Sequence, residues 1–130
     1  MSNVYGGKSF GSTVVEANTT FTTDVPGTRP VFDIDVGDSD NALAEFTVVV
    51  DNGTTKELHR IVRQLDAVSP TVVTNVFDTD VLKTAPYTFN TGVTNVSTVF
   101  TFNVAGSSAL ATWWVSVRVY GGRNVTIAVL

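Results

Sequence analysis

A single histidine and no cysteine leave this chain of 130 residues few routes to covalent or metal chemistry. Disulfides, thiolate nucleophiles and a Cys–His pair are excluded outright. A Ser–His–Asp triad would have to use His59, which sits beside Arg60 in a charged segment that reads as exposed. No Gly-x-Ser-x-Gly elbow supports such a triad. His59 therefore reads as a surface histidine, and a zinc site built on it would lack further ligands. No glycine-rich loop introduces a helix in a phosphate-binding pattern. The expectation is a protein that is not an enzyme and holds no cofactor.

Carboxylates are more plentiful. Asp33, Asp35, Asp38 and Asp40, with Asn41, are dense enough to offer oxygen ligands to calcium, and Asp78 and Asp80 would add to them only if the fold brought them near. As an EF-hand loop the stretch fails, because glycine falls at the fifth position and Ala44 stands at the twelfth. It reads instead as a solvated strand edge and turn. Glycoside hydrolysis needs a pair of carboxylates, but Glu16, Glu45 and Glu57 are scattered along the chain.

The remaining chemistry lies in residues 111–120. Trp113, Val115, Val117 and Val119 alternate with Trp114, Ser116, Arg118 and Tyr120. A period of two marks a strand, with the first set facing a core and the second on the opposite face. Trp114, Arg118 and Tyr120 are residue types that can stack on sugar rings. They are also enriched where subunits meet, and burial or subunit contact ranks ahead of sugar binding for them.

The elements that would position these groups are almost all strands. Residues 30–36 alternate Phe32, Ile34 and Val36 with Asp33 and Asp35, and residues 43–50 place Phe46, Val48 and Val50 on one face. Residues 71–77 form another strand, with a connection over 78–85. In residues 96–104, Thr98, Phe100, Phe102 and Val104 share a face. Pairing Val104 with Trp113 and Phe102 with Val115 sets apolar against apolar and predicts a hairpin. A three-residue loop over 121–123 would likewise pair Val119 with Val125 and Val117 with Ile127. One segment departs from the pattern: Leu58, Ile61, Val62 and Leu65 fall at helical spacing behind a capping box at residues 54–57. This predicts one short helix near residues 54–65, with a strand as the alternative, because Asp51-Asn52-Gly53 is also a hairpin signal and an all-β context can override local periodicity. About eight short strands with regular turns predict an all-β chain, an antiparallel β-sandwich or jelly roll.

Composition agrees. Valine and threonine dominate, and both suit a pleated, half-buried surface. The formal net charge of −4 argues against binding a nucleic-acid backbone, which needs clustered Lys and Arg. Neither a secretory signal nor an apolar membrane span is expected. The Asn-x-Ser/Thr matches at Asn18, Asn52, Asn95 and Asn124 are what chance produces in a chain so rich in both types. Residues 1–12 carry Gly6, Gly7 and Gly11, with Tyr5 and Phe10 as their only large side chains, and read either as a frayed terminus or as an extended arm anchored on a neighbour by those two rings. Residues 13–130 form the single sandwich domain.

In character the chain resembles the small β-sandwich decoration, or cement, proteins of tailed-phage heads. The likeness rests on the glycine-rich arm, the strands at 30–36 and 96–129, and the acidic balance. It implies a structural protein on the outer surface of the virion, made in the host cytoplasm, that bridges major capsid subunits, often as a trimer. The resemblance assigns no residue a role; the residues themselves offer Tyr5, Phe10, Trp114, Arg118 and Tyr120 as partner contacts and Asp33, Asp35, Asp38 and Asp40 as weak metal candidates. From a different class comes a carbohydrate- or receptor-binding module of a phage fibre or tail-associated adhesin, using Trp114, Arg118 and Tyr120.

Overall fold

The structure, a computed structural model, describes residues 3–6, 13–23, 28–37, 41–51, 53, 56–67, 72–82, 90–105, 110–122 and 124–130. They form ten strands: β1 (Asn3–Gly6), β2 (Thr13–Thr23), β3 (Thr28–Asp35), β4 (Asn41–Asp51), β5 (Lys56–Asp66), β6 (Val72–Leu82), β7 (Asn90–Val96), β8 (Val99–Ala105), β9 (Ala111–Gly122) and β10 (Thr126–Val129). Two antiparallel sheets of five strands pack as a β-sandwich, one ordered β1-β10-β3-β8-β7 and the other β2-β9-β4-β5-β6.

Alternation decides which side of each strand is dry. In β4, Ala42, Ala44, Phe46, Val48 and Val50 are buried while Leu43, Glu45, Thr47 and Val49 point the other way. In β9, Ala111, Trp113, Val115, Val117 and Val119 are buried, and in β8 Phe100, Phe102 and Val104 are. The two inner faces meet where Phe46 of one sheet stacks on Phe102 of the other, with ring centroids 4.0 Å apart. At one end of the core Trp113 stacks on Phe21 at 5.9 Å, and the Arg29 guanidinium closes over Phe21 at 4.1 Å. A cation over an aromatic face is attracted by the ring quadrupole, so the arginine caps the core without leaving its charge uncompensated.

Several expectations are corrected. Residues 54–65 do not form a helix, because Lys56–Asp66 is the strand β5, paired along its length with β4. Leu58 and Val62 lie on its outer side, half-buried, whereas Ile61 and Leu65 point into the core. Apolar residues on both faces of one strand, spaced this way, imitate a helical stripe. Neither expected hairpin forms either. β8 and β10 belong to one sheet and β9 to the other, so Val119 pairs with Val15 and Ala44, and Ile127 pairs with Tyr5 and Ile34. The chain changes sheets after β9, with positive φ at Gly121 (80°) and Asn124 (56°). Finally, Thr98 does not continue β8. It lies in the β7–β8 turn after Ser97 at φ 54°, and its carbonyl accepts from Val36 N at 3.1 Å.

The arm is not wholly an arm. Residues 3–6 are the edge strand β1, paired with β10 in register Asn3↔Val129 to Gly6↔Thr126. Phe10 and the rest of residues 7–12 lie outside the described residues. Likewise β6 runs on to Leu82, across part of the stretch expected as a connection.

Candidate functional site

The outer face of the second sheet collects the polar and aromatic residues of four strands into rows. Antiparallel partners share a face, so the ladders fix which side chains stand side by side. Val14, Tyr120, Leu43 and Gln64 form one row, and Glu16, Arg118, Glu45 and Val62 the next. Asn18, Ser116, Thr47 and Arg60 follow, then Thr20, Trp114, Val49 and Leu58. Successive rows are ~6.6–6.8 Å apart along the strands.

In the middle of this face Ser116 leaves a gap that its neighbours do not fill. The result is an open hollow of about 150 Å³, walled by Glu16, Asn18, Glu45, Thr47, Ser116 and Arg118. Trp114 stands one row beyond the hollow with 42% of its surface exposed, while Trp113, its neighbour in sequence, is 1% exposed. The same strand thus puts one indole in the core and the other in water.

Charges on the face come in pairs. Arg118 Nε donates to Glu16 Oε1 at 2.8 Å and Nη1 reaches Tyr120 Oη at 3.4 Å. The bond to the Tyr120 oxygen, and then the nearby Glu16 charge, raise the guanidinium above its usual value, so it stays charged at any working pH. Arg60 Nη2 meets Glu45 Oε1 at 3.2 Å, and Lys56 Nζ meets Asp51 at 3.7 Å.

Of the residues singled out in the sequence, the structure brings Trp114, Arg118 and Tyr120 together on this face. Tyr5 lies in the other sheet, on β1. Glu16 and Glu45, which looked scattered, flank Arg118 from the two neighbouring strands, so their backbones are ~9–10 Å apart. Hydrolysis would need one of them as a proton donor. Both instead accept from an arginine. The sequence signal for them is positional: each is the acidic residue that antiparallel pairing sets beside Arg118 or Arg60.

His59 is corrected from a surface residue to one that is 12% exposed on the inner side of β5. Its Nε2 lies 3.2 Å from Glu57 Oε1. Glu57 is 1% exposed, and Arg63 is buried on the same side of the strand. The acidic cluster divides. Asp33 accepts from Thr101 Oγ1 at 2.6 Å, and Asp35 accepts from Thr98 Oγ1 at 2.9 Å and Gly37 N at 2.8 Å. These two carboxylates pin β3 to β8 and to the turn before it. Asp38 and Asp40 lie outside the described residues. Among the described residues no three His, Asp or Glu side chains converge on a metal position.

No protein-family model and no curated protein sequence matches the chain. Among solved structures it is similar to gp49, a tailspike protein of Acinetobacter baumannii bacteriophage Fri1 described as a capsular polysaccharide depolymerase. The TM-score is 0.61 at 19% identity, over 95% of this chain and 21% of that one. The likeness is one of fold, and this chain spans about a fifth of the tailspike's length.

Proposed function

We propose that this chain is a glycan-binding β-sandwich module of a phage virion, belonging to a tail-associated fibre or spike, and that the outer face of its second sheet meets the sugar. The observation that carries this is Trp114, exposed beside a polar hollow on a rigid strand. A flat indole offers a large apolar surface at little conformational cost, and the sugar's C–H face can lie on it. Asn18, Thr47 and Ser116 line the adjacent row with hydrogen-bonding groups. The fold likeness to a tailspike whose description names a capsular polysaccharide supports the same reading.

A non-catalytic role fits the ion-paired carboxylates of the hollow. Capsid decoration, with the same Trp114, Arg118 and Tyr120 set against a major capsid subunit in an oligomer, is the second reading, favoured by the residue types that enrich subunit contacts. One experiment separates them: glycan-array and calorimetric binding by the parent chain and by Trp114→Ala. We expect specific glycan binding that Trp114→Ala weakens at least tenfold without altering the fold. A chain that ignores glycans but binds phage heads through the same tryptophan would instead be a decoration protein.

A further inference from the structure

We infer that the hollow beside Trp114 selects neutral glycans, with the Glu16–Arg118 pair holding two adjacent hydroxyls of one sugar; this rests on the glycan-binding reading above. Each of the three cations described on this face, Lys56, Arg60 and Arg118, already has a carboxylate within 4 Å. An acidic sugar that took the remaining N–H groups of Arg118 would set a second anion directly beside the Glu16 carboxylate. Like charges so placed repel. The chain's net charge of −4 adds an unfavourable field for any polyanion.

A hydroxyl group faces no such conflict, because it both donates and accepts. A carboxylate offers about four lone-pair sites and a guanidinium five N–H groups. The bond at 2.8 Å between Glu16 and Arg118 consumes one of each, and the contact to Tyr120 one more N–H. Acceptor and donor then remain side by side. Two neighbouring sugar hydroxyls match that arrangement, one donating to Glu16 and the next accepting from Arg118, with the ion pair left intact. Ser116 makes room for the ring, and Trp114 lies four residues along the same strand, ~13 Å away. That distance places the tryptophan against a second sugar rather than the one held by the ion pair. The ligand is therefore a chain of at least two neutral sugars.

The test is a panel of surface and capsular oligosaccharides, neutral in one set and bearing uronic or sialic acid in the other, read at low and high salt. We expect binding confined to the neutral set and nearly independent of salt. Glu16→Ala and Arg118→Ala should each weaken it on the order of tenfold, because each removes a hydrogen bond to a charged group. Unchanged melting temperatures would show that both variants fold. Binding confined to acidic glycans, falling steeply with salt, overturns the inference and leaves the glycan-binding reading standing. Neutral-glycan binding untouched by both substitutions also overturns it. No binding to either set overturns the inference and the broader reading together.

Discussion

Two adjacent tryptophans of β9 face opposite ways, one into the core and one into water, and replacing each in turn separates core stability from the proposed glycan contact. Trp113 is buried among Phe21 and the valines of β9, so Trp113→Ala should cost ~3–5 kcal/mol, measurable by chemical denaturation. Trp114→Ala removes an exposed ring and should cost less than ~1 kcal/mol. A small loss at Trp113 would mean that the sides of the strand are exchanged. Alternation alone assigned this pair correctly from sequence, because a pleated backbone leaves no other option once one face is dry. His59 was not legible in the same way. Its charged neighbourhood in sequence reads as surface, yet it shares the inner side of β5 with Glu57 and Arg63, and only the pairing with β4 reveals that. The aspartates carry a further prediction. Asp33 and Asp35 each commit Oδ1 to structural bonds, from Thr101 and from Thr98 and Gly37 N, and no third acidic group among the described residues joins them. A chelator should therefore leave the melting temperature unchanged, and a fall reversed by added calcium would make the cluster a metal site.

Strands β3, β4, β8 and β9 were each readable from alternation, and their partners were not. An inward-facing valine gains the same dry environment whether its apolar neighbour lies beside it in one sheet or opposite it in the second. Periodicity reports burial of a face and is silent about which strand supplies the cover. That is why Val104 against Trp113, and Val117 against Ile127, look sound as hairpins although each pair belongs to different sheets. β5 misleads for a related reason, since neighbours half-cover its outer residues Leu58 and Val62 and polar Glu57 and Arg63 occupy its inner side. The outer-face rows were legible only in part: Trp114, Arg118 and Tyr120 come from one strand, whereas Glu16, Glu45 and Arg60 join them through pairings across the chain. β1 offers a test at this scale. Removing residues 2–6 strips one neighbour from β10, and the loss of four ladder pairs should lower the melting temperature by roughly 3–6 °C, about 1 kcal/mol for a chain of this size. An unchanged midpoint would return the whole of residues 1–12 to the role of an arm.

Across the whole molecule, the polypeptide passes between the two sheets repeatedly: β1, β3, β7, β8 and β10 lie in one, and β2, β4, β5, β6 and β9 in the other. No continuous half of the chain contains a complete sheet. The first and last strands nevertheless lie side by side, antiparallel, with Asn3 opposite Val129. A tension applied to the two ends would therefore act across the β1–β10 ladder and part its hydrogen bonds one at a time, as a zip opens, while the other ladders still hold. In an optical trap gripping both ends, release of the four paired residues of β1 should appear as an early step of roughly 13–14 Å at low force. A single abrupt rupture of the entire chain would contradict it. Such a corner yields under load before the outer face of the second sheet, which carries Trp114, is disturbed.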